Sequence, residues 1–204
     1  CAPCSAYGKA RIATPGLVAY WPLNDSSLAS ACDATGRSPG AYQGGVTLGV
    51  PGPIPGDPDT SASFDGSTGN LAVQHTSALD VGDIFTVEGW VKRGSIGTPD
   101  NQVVASQQAN SWVLELNSSD QLVLRQSGVA DVAYSSTALT DTGGWHFVAA
   151  TKNGPEVHLY IDGRDVTGSV ANQTMQNNSQ PLAIGQSSNS AYFSGAIAQV
   201  ALFN

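Results

Sequence analysis

Apolar and polar residues alternate along most of this chain in short runs, which are separated by turns that contain glycine or proline. The clearest example covers residues 145–163, where one run ends at Asn153-Gly154-Pro155 and a second ends at Asp162-Gly163. Glycine supplies the positive φ that tight turns require, so this stretch predicts a β-hairpin followed by another turn. An apolar period of two indicates strands rather than helices.

Similar runs recur and predict about a dozen strands. Apart from the hairpin, they are residues 17–23, 46–48, 61–64, 70–73, 85–92, 102–106, 111–116, 121–126, 131–134, 182–184 and 193–203. One helical turn is expected at residues 77–79, and no other helix is predicted. Many short strands with frequent turns favour an all-β fold, a two-sheet antiparallel sandwich.

The pattern divides the chain into two parts. Residues 1–16 are rich in small side chains and end at Pro15-Gly16, so they are predicted to form an N-terminal arm or linker. Residues 17–204 carry all the strand signals and are predicted to form one domain, because β-sandwiches of this length are common as single units.

Composition and charge narrow the possible partners. Only 12% of the residues are charged, whereas about 25% is usual for globular domains, and this neutral polar surface favours an extracellular, cell-surface or virion-surface location. The net charge is −8 and the eight Lys and Arg residues are scattered, which argues against a nucleic-acid partner. No apolar run is long enough for a membrane span.

Six segments, taken in order, resemble the laminin-G-like family, whose fold is the concanavalin-A-like lectin/glucanase jelly roll. They are AYWPL at 19–23, SFDG at 63–66, FTVEGWVK at 85–92, WHFVA at 145–149, LYIDG at 159–163 and FSGAIAQV at 193–200. The resemblance implies a jelly-roll domain over residues 17–204. It does not imply one function, because the family includes adhesion modules, glycan-binding modules and appendages of secreted enzymes and phage virions.

The resemblance also raises the question of calcium. The last segment of the family often carries acidic residues where this chain has Ala198 and Gln199. The remaining candidate ligands are Asp25 and Asp33, and the Asp33-Ala34-Thr35-Gly36 stretch resembles an Asp-x-x-Gly loop of the family. Ca²⁺ prefers several oxygen ligands, so a bound Ca²⁺ is one interpretation of this loop. The alternative is a turn that the aspartate side chain stabilises.

The carboxylates argue against catalysis. The chain has only three glutamates, Glu88, Glu115 and Glu156, and glycoside hydrolysis requires two carboxyl groups that flank the scissile bond. Glucanases of this fold carry a Glu-x-Asp-x-x-Glu strand and lyases of this fold a Gln-x-His motif, and neither occurs here. The chain is therefore predicted not to be an enzyme.

Strand alternation predicts a ligand-binding face. If the strands share one layer, that layer exposes five candidate ligand contacts, with Trp90 beside them: Glu88, Glu115, Arg125, His158 and Tyr160. Mixed aromatic and polar side chains on a concave sheet suit sugars, whose ring faces stack and whose hydroxyls form hydrogen bonds. The alternative is a solvated sheet face with paired charges and no ligand.

Three cysteines lie near the N-terminus, at Cys1, Cys4 and Cys32. A disulfide from Cys32 to Cys1 or Cys4 is expected, which would tie the arm to the domain. The Cys1-x-x-Cys4 spacing leaves a redox pair or half of a metal site as alternatives.

The leading hypothesis is a non-catalytic extracellular binding or adhesion module that recognises a glycan or glycoprotein surface. A second hypothesis is a structural protein that decorates a filament or virion and contacts itself or neighbouring subunits through residues 1–16. A third is an accessory domain of a secreted carbohydrate-active enzyme.

Overall fold

The structure is a computed structural model that describes residues 5–98, 102–107, 109–187 and 191–204. These residues form one α-helix, α1 (Ala6–Ile12), one 3₁₀ turn (Ser77–Leu79) and sixteen strands. The strands are β1 (Leu17–Trp21), β2 (Gly40–Gln43), β3 (Val46–Pro51), β4 (Thr60–Asp65), β5 (Asn70–Val73), β6 (Ile84–Arg93), β7 (Gln102–Gln107), β8 (Trp112–Leu116), β9 (Gln121–Gln126), β10 (Ala130–Ala138), β11 (His146–Asn153), β12 (Glu156–Ile161), β13 (Arg164–Asp165), β14 (Thr167–Val170), β15 (Leu182–Ile184) and β16 (Ser194–Phe203).

The strands form two sheets of eight. The first sheet has the order β13-β12-β11-β6-β16-β4-β3, with β1 beside the second half of β16. The second sheet has the order β14-β10-β9-β8-β7-β15-β5-β2. Neighbouring strands run antiparallel in both sheets. The predicted all-β, two-sheet antiparallel sandwich is therefore confirmed.

The hairpin turns follow the predicted chemistry. Asn153 pairs with Glu156, so β11 and β12 are joined by a two-residue turn in which Gly154 has φ 57°. The next turn, between β12 and β13, consists of Asp162 and Gly163 with φ of 52° and 74°. Two successive positive φ angles match the twist of antiparallel strands. Short-range turn signals thus fix the register of this part of the first sheet.

The core lies between the two sheets and is formed by the inward-facing residues, which occupy alternate positions along the strands. Trp112 of the second sheet packs on Phe85 of the first, with ring centroids 5.7 Å apart. Other fully buried core side chains include Trp21, Leu23, Leu71, Leu114, Leu122, Leu159, Leu182 and Phe193. Each such side chain contributes about 1.5–3 kcal/mol by leaving water.

The prediction that no helix precedes the strands is wrong, because α1 lies inside the predicted arm. Ser5 caps this helix by accepting a hydrogen bond from the backbone N–H of Gly8 at 3.0 Å. A helix of seven residues is marginal in isolation, so its contacts with the first sheet must stabilise it. The 3₁₀ turn at Ser77–Leu79 matches the predicted helical turn.

The strands at the sheet edges are short or irregular. The outermost strand β13 has two residues, and β14 and β2 have four each. The register of β3 shifts between Leu48 and Val50, where Gly49 has φ 75°. Pro51 ends β3 at this edge, where a missing N–H does not interrupt the ladder.

Candidate functional site

The predicted ligand contacts do not share one surface. Glu88, His158 and Tyr160 lie on the outer face of the first sheet, whereas Glu115 and Arg125 lie on the outer face of the second. The prediction of a single layer is wrong, because alternation shows on which side of its own sheet a residue lies but not to which sheet its strand belongs. The molecule therefore has two candidate surfaces, which face in opposite directions.

The surface of the second sheet is centred on Arg125 of β9. The Nε atom of Arg125 lies 2.9 Å from Oε1 of Glu115 on β8 and 2.7 Å from Oδ1 of Asp131 on β10. Asp131 in turn accepts a hydrogen bond from the hydroxyl of Tyr134. We call these four residues the Arg125 cluster; Asp131 and Tyr134 were not predicted as site residues.

Access to the Arg125 cluster is uneven. The Glu115 side chain is only 3% exposed, so its predicted exposure is wrong, while the side chains of Arg125 and Asp131 are 34% and 23% exposed. The outer-face neighbours Val113 and Val123 are buried. The Arg125 guanidinium is in contact with both carboxylates through its Nε atom.

Tyr134 remains an uncharged hydroxyl. Its hydrogen bond to Asp131 raises the pKa of Tyr134, and burial raises it further. The cluster thus presents guanidinium donors, a carboxylate acceptor and a phenol beside apolar side chains. This combination is suited to polyhydroxylated ligands, which present donors and acceptors together.

On the first sheet, α1 covers the centre of the outer face. Nη1 of Arg11 lies 2.6 Å from Oε1 of Glu88, whose side chain is 9% exposed, so the predicted exposure of Glu88 is wrong. Burial raises the pKa of Glu88, and the charge and hydrogen bond of Arg11 partly oppose this effect. The indole N–H of Trp90 donates to the Tyr7 hydroxyl at 3.3 Å, and Trp90 packs edge-on against Phe147.

His158 and Tyr160 lie beyond the helix on β12. The His158 side chain is 48% exposed and Tyr160 is half-buried, so both side chains are accessible as predicted. Their ring centroids are 6.2 Å apart. Nδ1 of His158 lies 2.8 Å from Oδ2 of Asp165, and hydrogen bonds from Thr167, followed by that from His158, lower the pKa of Asp165 to about 2.

The Asp33 carboxylate organises the loop between β1 and β2. It accepts hydrogen bonds from the backbone N–H groups of Tyr20, Thr35, Arg37 and Ser38 and from the Thr35 hydroxyl, at 2.7–3.0 Å. Donors that point at both oxygens would repel a cation, so this carboxylate does not fit a Ca²⁺ site. The structure therefore gives Asp33 the role of the predicted turn-stabilising aspartate.

The Asp25 carboxylate accepts fewer hydrogen bonds than that of Asp33 and so keeps more capacity to bind a cation. Its oxygens accept one hydrogen bond each, from the Cys32 N–H at 3.1 Å and from the Tyr42 hydroxyl at 2.8 Å. It also lines a cavity of about 350 Å³ together with Asn24 and Ser26. In the described part of the chain, no three His, Cys, Asp or Glu residues form a group that could hold a metal ion. Calcium binding at Asp25 thus stays a prediction.

Two of the three cysteines, Cys1 and Cys4, lie outside the described residues. The pairing of Cys32 with one of them stays a prediction.

A family model described as the concanavalin A-like lectin/glucanases superfamily, Laminin_G_3, matches residues 65–204. The chain belongs to this superfamily. The resemblance seen in the sequence and the concanavalin A-like jelly-roll fold are thereby confirmed. No curated protein sequence matches the chain significantly.

Solved structures support the same fold. Domain 4 of AbnA, a GH43 extracellular arabinanase from Geobacillus stearothermophilus in complex with arabinotriose, is similar at a TM-score of 0.68 and 18% identity, with 92% of each chain covered. A structure of botulinum neurotoxin type C, which interacts with two ganglioside molecules, has a TM-score of 0.67 and 16% identity, with 92% of this chain and 47% of that chain covered.

A sialidase from Trypanosoma rangeli, in complex with 2,3-difluorosialic acid, is similar at a TM-score of 0.68 and 11% identity, over 93% of this chain and 30% of that chain. This member of the concanavalin A-like superfamily thus spans about half of the toxin chain and under a third of the sialidase chain. At such identities the similarity shows the fold alone. Among the described residues, no helix is long and apolar enough to cross a membrane.

Proposed function

We propose that this domain is a non-catalytic extracellular module that binds neutral glycans through the Arg125 cluster. One observation carries the proposal: a one-third exposed arginine is held between two carboxylates on a sheet face where its neighbours Val113 and Val123 are apolar. The ion-pair contacts with Glu115 and Asp131 hold the guanidinium in place. The exposed part of the guanidinium can then donate to ligand hydroxyls with little further loss of side-chain entropy.

The similar structures support a glycan as the ligand class. The arabinanase domain was solved with arabinotriose and the neurotoxin interacts with gangliosides. The charge of this chain favours a neutral sugar such as arabinotriose over an acidic one such as a ganglioside headgroup. The net charge is −8, and the two carboxylates of the Arg125 cluster outnumber its single cation, so acidic sugars would be repelled.

The placement of the carboxylates supports a non-catalytic role. Glu88 and Glu115 lie on opposite sheets, so they cannot flank one glycosidic bond. Glu115 and Asp131 lie close together, but the Arg125 guanidinium lies between them. A sugar cannot occupy that space, and both carboxylates are engaged by the arginine rather than free to transfer a proton.

The match with the arabinanase domain favours the hypothesis of an accessory domain of a secreted carbohydrate-active enzyme. The two chains cover 92% of one another, as expected for similar modules. In this setting the domain would hold an enzyme near its polysaccharide. An adhesion role would use the same binding surface.

A glycan array followed by calorimetric titration tests the proposal. The array carries arabinotriose, neutral β-glucan fragments and ganglioside headgroups, and it is read in calcium and in EDTA. We expect neutral glycans to bind, Arg125→Gln and Asp131→Asn to weaken binding by about tenfold, and Arg164→Gln to have no effect. Arg164 is an exposed arginine on β13 and serves as the matched control.

Unchanged affinity in both cluster variants would contradict the proposed site, provided that their melting temperatures match that of the wild type. Binding that is lost in EDTA and in Asp25→Asn would instead favour the calcium loop as the binding site. Release of reducing ends from any neutral glycan would contradict the non-catalytic role.

A further inference from the structure

The first sheet carries, at the end formed by Ile84, Asn153 and Asn204, a groove that the Arg125 cluster does not explain. The groove encloses about 410 Å³, within the range of small-ligand sites. Its floor is one row of residues across four strands. Phe203 on β16 pairs with Thr86 on β6, which pairs with Thr151 on β11, which pairs with His158 on β12. We call this site the Thr151 groove.

The row has the dimensions of a sugar platform. Four neighbouring strands span three inter-strand spacings, or about 14 Å from Phe203 to His158. Successive positions along it present an aromatic ring, two hydroxyls and an imidazole. Tyr160, which packs near His158, extends the aromatic surface at one end.

The polar groups of this row are available to a ligand. Across the part of the chain that the structure describes, neither the Thr86 nor the Thr151 hydroxyl forms a hydrogen bond. Both residues are half-buried, which disfavours hydroxyls without partners unless water or a ligand supplies them. Asp165 holds the His158 ring through Nδ1, so Nε2 points away from that contact.

The charges around the groove select among ligands. The exposed Glu156 lines the groove and Asp165 lies next to His158. Among the described residues, the groove lining has no arginine and one lysine, Lys152, whose side chain is fully buried and hydrogen-bonded to Asn172. These carboxylates would repel an acidic sugar or a phosphate, whereas neutral hydroxyls can donate to them. The lining therefore fits a neutral saccharide.

We propose that the Thr151 groove is a second neutral-saccharide site, and that the domain bridges two separate glycan chains. The inference builds on the proposed function but uses different residues. The two sheets of a sandwich stack about 10 Å apart, and the two sites face away from each other. A short glycan that occupies one site cannot reach the other, so simultaneous occupation requires two chains.

Amide shifts of the ¹⁵N-labelled domain, titrated with arabinotriose, cellotriose, maltotriose and mannotriose, test the inference. One spectrum reports on both sites independently. We expect shifts in the amides around Thr86, Thr151 and His158, and a separate set of shifts around Arg125. Thr151→Val and His158→Ala should each weaken binding in the groove three- to tenfold and leave the second set unchanged.

The matched control is Thr47→Val, which removes an exposed hydroxyl from the same face of the first sheet outside the groove; both sets of shifts should persist. The second site is overturned if none of the four sugars shifts the groove amides, or if these amides shift in Thr151→Val and His158→Ala as much as they do in the wild type. If only the groove amides shift, the Arg125 site fails and the groove inference stands.

Bridging is measured with two batches of beads that carry the trisaccharide found to bind. The wild-type domain should agglutinate the beads. The Thr151→Val variant should agglutinate them less but should still bind to single beads. Equal clumping by this variant overturns the claim of bridging.

Discussion

The Arg11–Glu88 ion pair holds α1 to the first sheet. Its 2.6 Å contact lies where the Glu88 carboxylate is almost buried, and the guanidinium of Arg11 also lies 5.2 Å from the Tyr7 ring centroid. Removal of the cation would leave a desolvated carboxylate without compensation, which costs more than the pair contributes.

We therefore expect Arg11→Met to lower the free energy of unfolding by about 1–3 kcal/mol, and Glu88→Gln to lower it less, because a neutral amide is cheaper to bury. Urea denaturation measures both. Lys9→Met, at an exposed position of the same helix, is the control and should be near neutral. Equal effects of Lys9→Met and Arg11→Met would contradict this role.

His146 makes the stability of the domain depend on pH. Its ring nitrogens lie 2.8 Å from Asp162 and 3.2 Å from Asp141. Burial lowers the pKa of His146, but the hydrogen bonds and charges of Asp162 and Asp141 raise it more, so that the net shift is upward from 6.5. A histidine with a raised pKa stabilises the folded state below its unfolded pKa, and this contribution is lost as pH rises through the folded pKa.

The unfolding free energy should consequently decline as the pH rises from about 6.5 through the raised pKa of folded His146, and His146→Gln should flatten that decline. Urea denaturation at a series of pH values measures the slope. The matched comparison is Asp162→Asn, which removes one of the two carboxylates in contact with His146 and should flatten the decline in part. The interpretation fails if the wild type and His146→Gln have the same slope.

At the scale of elements, α1 makes its contacts with its own domain. If residues 1–16 served mainly in assembly, their removal would abolish association and leave the fold intact. We expect instead that deletion of residues 1–16 lowers the melting temperature by several degrees, leaves the oligomeric state unchanged and preserves glycan binding. Calorimetry, light scattering and the glycan titration measure these three properties.

Tyr7→Ala/Arg11→Ala, which undocks the helix while it keeps the cysteines, serves as the comparison for this deletion. A smaller number of subunits per particle after the deletion would favour the assembly hypothesis.

The predicted disulfide would join the arm to the loop after β1. A loop of about 30 residues closed by Cys32 and either Cys1 or Cys4 stabilises by roughly 3 kcal/mol if the bond is unstrained. Peptide mapping without reductant should find this pair. Cys32→Ser should destabilise the domain, and one of the two variants Cys1→Ser and Cys4→Ser should destabilise it to the same extent, whereas the other should have no effect. Three free thiols in the map would refute the prediction.

Elements set by local chemistry could be predicted from the sequence, and those set by distant contacts could not. The turns at Gly154 and Asp162-Gly163 are encoded by residues that tolerate positive φ, so the positions of the flanking strands were predicted correctly. Helix α1 has no such signal, because it is short and depends on Arg11 reaching Glu88, 77 positions away.

At the scale of the whole molecule, the same limit explains the candidate site. The alternation that placed Glu115, Arg125, His158 and Tyr160 on outer faces was correct, but it carries no information on which sheet each strand joins. Asp131 was missed although it pairs directly with Arg125. Only the register of β9 with β10 brings these charges together, and that register depends on the turn between them.

The edges of the first sheet bear on how this domain behaves when many copies are crowded together. Exposed strand edges are templates for intermolecular β-pairing and aggregation. Here β13 offers two charged residues, Arg164 and Asp165, and β3 is interrupted at Gly49 and ends in proline. Neither edge presents the long, flat ladder that a second chain needs for a continuous sheet. The first sheet therefore offers neighbouring copies no continuous edge, even where the domain is repeated in tandem or concentrated on a polysaccharide surface.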